Sequence, residues 1–276
     1  LFFTDAFMLS DFFLVRSFLK WKNTYMVKME EWMHIISEMD AMVSMADFRY
    51  NHPEAEEAEF VSGSPEIVFD GKNLYHPFLG AKAVKNDFTI KDDNYYIITG
   101  ANMAGKSTFL RSLGVNYILA MAGMPVFADQ LKISRFRLFS SMRTTDDLTH
   151  GISYFNAELI RLEELLKFCK ESAEGNKESL RTLIILDEIL KGTNSLDKLN
   201  GSRKFLEAIA KQPVSGIIAT HDLELSKMEN DASGKFHNYC FEIDLGTDVT
   251  YTYKIQKGVA RNQNATFLLN KILEKY

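Results

Sequence analysis

The sequence has little cysteine, no excess of positive charge and no long hydrophobic run. Its two cysteines, Cys169 and Cys240, lie in no CxxC or Cys/His pattern, which supports neither a disulfide framework nor a zinc site and favours a reducing compartment. The net charge of −5 makes binding of nucleic acid phosphates by this segment alone unfavourable. The longest uncharged run, residues 112–128, contains glycine and proline and is shorter than the ~20 residues of a membrane-spanning helix. We therefore expect no direct membrane contact by this segment.

The composition is that of a folded protein. Hydrophobic residues make up 46% and charged residues 25% of the 276 residues, which excludes intrinsic disorder as the main state. The chain begins with Leu1, and charged residues interrupt its first apolar stretch. The apolar stretches of signal peptides and membrane helices are not interrupted in this way. We expect the chain to be an internal part of a longer cytoplasmic polypeptide. A membrane anchor upstream of this part is compatible with the sequence.

The first 50 residues predict a long helix that packs against another helix. Its apolar residues recur every three or four positions, at Tyr25, Met29, Trp32, Ile36, Met39 and Val43. Residues 51–65 are rich in glutamate and proline, as a connection between domains is. We place the boundary near residue 60, with a helical connector at 1–60 and a second domain at 61–276.

The second domain shows a different periodicity. Short apolar runs at residues 66–69, 95–99, 183–186 and 216–220 predict strands, several of them buried on both faces. Between these runs, residues 156–170 and 199–210 contain leucines at helical spacing. The alternation predicts an α/β domain with a mostly parallel sheet.

Residues 96–108 contain a phosphate-binding loop. They match GxxxxGK[ST], follow an apolar strand and open a predicted helix, which is the context that gives this motif its meaning. Backbone N–H groups of such a loop surround phosphate oxygens, while Lys106 reaches the β- and γ-phosphates and Ser107 binds Mg²⁺. The residues predicted to bind nucleotide are Gly100, Ala101, Asn102, Met103, Ala104, Gly105, Lys106, Ser107 and Thr108.

Two further predicted strands deliver polar side chains to the same edge of the sheet. Asp187 and Glu188 follow four aliphatic residues, at the strand end where ligands bind in open α/β sheets. Asp187 is suited to hold Mg²⁺ through water, and Glu188 to activate the attacking water as a catalytic base. His221 follows the next strand, where it can sense a γ-phosphate by hydrogen bonding.

These motifs together resemble the ATPase domain of the MutS family within the ABC-type ATPases. The resemblance lies in residues 99–108, with Asn-Met inside the loop, and in residues 145–148, 151–158, 187–193 and 219–221. It implies a P-loop NTPase of ABC type preceded by α-helical lever residues, and an ATPase that uses ATP and Mg²⁺. It further implies a DNA mismatch repair or related protein that contacts DNA through domains outside this chain.

The resemblance also assigns roles to residues that the motifs alone do not. Asn86 and Tyr253 would lie in the nucleotide pocket, and Ser153 would face the γ-phosphate held by the opposite subunit of a homodimer with composite ATP sites. Ser153 is also a favoured cap of its own helix, and both roles stay open. The sequence departs from the family at residues 83–84, where an aromatic residue is usual, and near residues 262–266. These departures indicate a divergent branch.

One alternative remains, and one class is excluded. The alternative is a nucleotide-binding dimerisation module without significant turnover, or one with a role outside repair. The excluded class is that of transporter or chromosome-maintenance ATPases. Such a protein would contain an LSGGQ sequence before residue 183, and the chain has none.

Overall fold

A computed structural model describes residues 10–61, 67–142, 154–174, 181–191, 193–231, 233–245 and 249–261. Contacts divide the chain into two compact units, Leu1–Pro53 and Glu54–Tyr276. The division falls before residue 60 because Glu56 already bridges to Val126 in the second unit. No helix in the described part of the chain is long and apolar enough to cross a membrane.

The described residues of the first unit form a helix, α1 (Ser10–Asn51). Neither glycine nor proline interrupts this segment, and the helix ends before Pro53, since proline disfavours helical backbone in the residue before it. The predicted helix is confirmed. The residues of its apolar stripe are between 40% and 60% exposed, so the expected packing of this stripe is not seen within the described residues.

The described part of the second unit contains strands, three α-helices and two short 3₁₀ segments. The strands are β1 (Glu59–Phe60), β2 (Ile67–Leu74), β3 (Asn86–Lys91), β4 (Tyr95–Gly100), β5 (Gln130–Ile133), β6 (Phe136–Ser141), β7 (Arg181–Asp187), β8 (Val214–Thr220), β9 (Phe236–Leu245) and β10 (Val249–Lys257). The helices are α2 (Lys106–Met121), α3 (Tyr154–Glu174) and α4 (Ser195–Ile209), and the 3₁₀ segments are Pro77–Lys82 and Leu223–Asn230.

The strands form two sheets. The larger has the order β10-β9-β4-β8-β7-β6, in which only β10 runs antiparallel to its neighbour. The smaller has the order β1-β5-β2-β3. The mixed α/β architecture with a mostly parallel sheet is confirmed.

The larger sheet is covered on both faces. Ile98 and Ile185 pack into one core cluster with Leu110 of α2, whereas their neighbours Ile97 and Ile184 pack into a second cluster. That second cluster contains leucines of α3 and α4. Because side chains alternate across a strand, a continuous apolar run feeds both cores at once.

Candidate functional site

Three adjacent strands end at one edge of the larger sheet. Thr99 at the end of β4 pairs with Thr220 of β8, and Asp187 at the end of β7 pairs with Ala219 of β8. These parallel pairs bring the phosphate-binding loop, the Asp-Glu pair and His221 to the same side. The strand ends thus place together the residues that the sequence predicts as a site.

The loop after β4 turns sharply into α2. Gly105 is the N-cap of α2 with φ 108°, a backbone conformation that side chains oppose. A Cβ on Gly105 would also lie 3.1 Å from Tyr253 Cδ1. The helix has no side-chain cap, so its first N–H groups point out of its N-terminus, as in an anion-binding helix end.

Lys106 is buried, with only 6% of its surface exposed. Its Nζ donates hydrogen bonds to Gly100 O at 2.7 Å and Ala101 O at 2.8 Å. Burial lowers the pKa of Lys106 to about 8, although the charges of Asp187 and Glu188 oppose this shift. Two short hydrogen bonds thus hold the ammonium group against the loop carbonyls.

Glu188 is held by contacts with two neighbouring elements. Its backbone N–H donates to Ala219 O at 2.9 Å, and its φ of 68° is unusual for a non-glycine residue. Lys198 of α4 donates to Glu188 Oε1. Burial raises the pKa of Glu188, but the hydrogen bond and charge of Lys198 outweigh it, so the pKa lies below its ordinary value.

Lys198 is the residue of this site that the sequence interpretation missed. Its partner is ten residues away in the chain, on a different element, and no motif links the two residues. The fold brings the end of β7 and the first turn of α4 together.

His221 lies beside the loop lysine. Its Nδ1 is 3.1 Å from Gly100 O and 3.4 Å from Lys106 Nζ. Partial burial of the ring and the charge of Lys106 lower the pKa of His221, while Glu188 opposes them. The ring is therefore mainly neutral at neutral pH. It lies close enough to Lys106 to contact a ligand that the lysine binds.

A cavity of about 490 Å³ opens beside these groups. Its size is within the usual range of small-ligand sites. It is lined by the loop and first turn of α2, by His221, and by residues outside the motifs: Leu74, Tyr75, His76, Leu79, Lys82, Val84, Asn86, Ser112, Phe241 and Tyr253.

Asn86 and Tyr253 both line this cavity, and they are joined to each other. The buried Asn86 amide donates to Tyr253 O at 3.0 Å and to Val84 O at 3.1 Å, and its oxygen accepts from Ile255 N at 2.9 Å. Tyr253 has φ 52°, and its ring stacks on Tyr251 with centroids 5.8 Å apart. Asn86 thus fixes the irregular part of β10 that presents Tyr253.

The donors suited to a metal ion are oxygen atoms. The Ser107 hydroxyl and the Asp187 carboxylate are hard ligands of the kind that Mg²⁺ takes together with water and substrate phosphates. No group of three or more histidine, cysteine or acidic residues fit to hold a metal occurs in the described residues. The Ser107 and Asp187 oxygens would suit a Mg²⁺ ion that also binds water and nucleotide phosphates.

Some residues singled out from the sequence lie outside the described part of the chain. The predicted site residue among them is Ser153, and the family-like segment 145–148 and the divergent segment 262–266 lie outside as well. Helix α3 begins at Tyr154, immediately after Ser153. The cap and the trans-contact roles of Ser153 both stay predictions.

Comparisons with known proteins agree with this arrangement. A family model described as MutS domain V matches residues 96–267. The DNA mismatch repair protein MutS of Lachnoclostridium phytofermentans is 31% identical over 82% of this chain and 24% of its own length. That of Clostridium perfringens is 32% identical over 82% of this chain and 25% of its own, and that of Petrotoga mobilis 29% identical over 87% and 29%.

The chain therefore spans about a quarter of the length of the curated relatives it matches. The matched residues include the phosphate-binding loop, the Asp-Glu pair and His221. This chain belongs to the MutS family and contains that family's domain V, a P-loop ATPase fold.

Proposed function

We propose that this chain binds ATP together with Mg²⁺ and hydrolyses it to ADP and phosphate. The observation that carries the proposal is the meeting of Lys106, Asp187, Glu188 and His221 at one sheet edge, beside a cavity lined by the phosphate-binding loop. An ordinary glycine turn explains the loop, but it does not explain the convergence of these charged groups.

The loop and Lys106 bind the phosphates in this proposal. The N-terminus of α2 offers backbone N–H groups, and residues 100–105 surround the phosphate oxygens. Lys106 is already oriented by two carbonyl contacts, so it adds its charge at little entropic cost. Thr108 in the first turn of α2 also lines the cavity.

Ser107 and Asp187 would hold Mg²⁺ in this proposal. The ion, when bound, neutralises charge on the β- and γ-phosphates. Asp187 lies at the carboxyl end of β7, half-buried and next to the position of Glu188.

Glu188 acts as the base in the proposed reaction. Its carboxylate accepts a proton from water, whose oxygen attacks the γ-phosphorus while the bond to the bridging β,γ-oxygen breaks and ADP leaves. We assign His221 a contact with the same phosphoryl group, since its Nδ1 is 3.4 Å from Lys106 Nζ. The two residues therefore have separate roles, one on the water and one on the phosphate.

A second candidate function is nucleotide binding without significant turnover. It is favoured by the Lys198 contact, because a carboxylate paired with a lysine is a weaker base. In that case the chain is a dimerisation module that responds to nucleotide occupancy.

We extend the proposal to the whole protein from the relatives' names. The three relatives described above are DNA mismatch repair proteins. We propose that α1 belongs to a lever or connector at residues 1–60, that two copies of residues 61–276 form composite ATP sites, and that domains outside this chain contact DNA. The protein would work in the cytoplasm, in mismatch repair or a related process.

Phosphate release tests the central proposal. The chain should release phosphate from ATP in the presence of Mg²⁺, and EDTA or Lys106→Ala should abolish release. Tight binding of ATP without release would support the second candidate, and neither binding nor release would overturn both.

A further inference from the structure

Glu188 and Lys198 form an ion pair that the phosphate-binding motifs do not require. Lys198 Nζ donates to Glu188 Oε1, and the side chains are 20% and 19% exposed. This is the least exposed ion pair in the described part of the chain. In exposed pairs such as Arg203 with Glu207, both side chains are about half exposed. Such pairs contribute little to the stability of the fold.

Both backbones of this pair are fixed. Asn194 caps α4, accepting from Asp197 N at 3.0 Å, and its carbonyl accepts from Lys198 N at 2.9 Å. Glu188 is held to β8 by its N–H bond to Ala219 O. The ion pair therefore joins two residues whose backbones are held by hydrogen bonds. It restricts the rotation of the Glu188 side chain, which the backbone contacts leave free.

The contact uses one carboxylate oxygen and leaves the other. A carboxylate has two oxygens, and Lys198 engages Oε1 only, so Oε2 is left to accept from water, although the pairing lowers the basicity of the carboxylate as a whole. The other groups whose charges act on Glu188 are Lys191, Lys106 and, when it is protonated, His221. Among these cations, Lys198 is the one whose hydrogen bond to the carboxylate sets its direction.

We infer that Lys198 is a positioning residue for Glu188, which holds the carboxylate by Oε1 so that Oε2 receives the proton of the attacking water. This inference rests on the proposed function. It assigns a role to a side chain of α4, an element that contributes no residue to the phosphate-binding loop or to the cavity lining. A merely structural ion pair would tie α4 to the end of β7 without affecting the chemical step.

The test compares Lys198→Met with the parent chain. Methionine keeps much of the length of the lysine and removes its charge and its hydrogen bond. Single-turnover hydrolysis of MgATP, with protein in excess, gives the rate of the chemical step, and titration with a non-hydrolysable ATP analogue gives binding. We expect a rate loss on the order of 100-fold, since a small misplacement of a reacting group costs that much, and affinity within about twofold of the parent.

Three matched variants sharpen the comparison. Lys198→Arg should recover part of the rate, because it keeps a cationic donor. Lys198→Gln is a second neutral variant, should the methionine variant fold poorly. Lys204→Met changes an exposed lysine of the same helix and should hydrolyse ATP at the parent rate.

Each outcome decides the inference. A parent rate in folded Lys198→Met, or a rate loss matched by equal losses of analogue affinity and melting temperature, would overturn it while leaving the proposed function intact. Absence of hydrolysis by the parent chain would overturn the proposed function and this inference together. A selective rate loss that arginine partly restores supports it.

Discussion

At the scale of single residues, the site depends on charged groups that are removed from water and held by the backbone. Lys106 is the clearest case, since it is 6% exposed and bonded to two carbonyls of its own loop. The lowered pKa shows that burial disfavours its charge. An anionic ligand would reverse that penalty, and so the lysine is suited to bind phosphate and not to stabilise the empty fold.

Lys106→Ala is expected to weaken the binding of a non-hydrolysable ATP analogue with Mg²⁺ by about 10- to 100-fold, the worth of a charged hydrogen bond. The melting temperature should change little, because the lysine bonds only to loop carbonyls. Isothermal titration measures the affinity, and Lys211→Ala, an exposed lysine after α4, is the matched control. Unchanged affinity would remove Lys106 from the phosphate site.

Glu188→Gln is expected to keep nucleotide binding and to lower turnover by at least about 100-fold, because an amide retains the shape and loses the basicity. Asp187→Asn should instead weaken the Mg²⁺ dependence of binding. Steady-state phosphate release and titration at several Mg²⁺ concentrations separate the two effects. Parent turnover in Glu188→Gln would reject Glu188 as the base.

Sequence reasoning reached Lys106 and Glu188 because each lies in a contiguous motif whose spacing reflects its chemistry. It did not reach Lys198, whose contact with Glu188 depends on where α4 lies relative to the end of β7. It also gave Asn86 a place in the nucleotide pocket without showing that its amide is bonded to backbone groups of residues 84, 253 and 255. A buried side chain's partners follow from tertiary packing, which local patterns do not contain.

At the scale of elements, the central strands could be predicted and the outer ones could not. Strands β4, β7 and β8 each carry an uninterrupted run of aliphatic or aromatic residues because both faces are covered. Strand β10 lies at the edge of the larger sheet with β9 beside it, and both carry polar residues, so their sequence gives a weaker signal. The packing expected for α1 is not seen within the described residues, because periodicity reveals an apolar stripe and not what covers it.

Gly216 in β8 tests how tightly the central strands pack. A Cβ at this position would lie 2.7 Å from Tyr95 Cδ1 and 3.0 Å from Ile184 Cγ1. We expect Gly216→Ala to lower the free energy of unfolding by about 1–3 kcal/mol, the cost of overpacking. Thermal or urea unfolding measures this change.

The control for that substitution is Gly114→Ala in α2. Its Cβ would meet its nearest neighbours at 3.7 and 3.8 Å, which is ordinary contact. Alanine is also favoured over glycine inside helices by about 0.5–1 kcal/mol, so stability should be unchanged or higher. Equal behaviour of the two variants would show that β8 has room to move.

At the scale of the whole molecule, the proposed composite site predicts complementation between subunits. Lys106→Ala and Ser153→Ala proteins should each have low activity, whereas a mixed dimer keeps one site with an intact Lys106 and an intact Ser153. Mixing should restore part of the ATP hydrolysis, and sedimentation should show dimers with ATP that ADP does not support. No recovery despite demonstrated heterodimers would leave Ser153 as a helix cap.

The left-handed backbone positions of the second unit bear on how this protein can evolve. Of the six described non-glycine residues with positive φ, Met103 and Tyr253 line the cavity, and Glu188 and Leu190 follow β7. Each such residue costs roughly 1–2 kcal/mol relative to glycine. Selection for heat resistance would therefore favour glycine at the very places where side chains are needed for function. We expect glycine substitutions at these positions to raise stability only as activity declines, so the trade-off between stability and function is located in the loop after β4, the residues after β7 and the irregular part of β10.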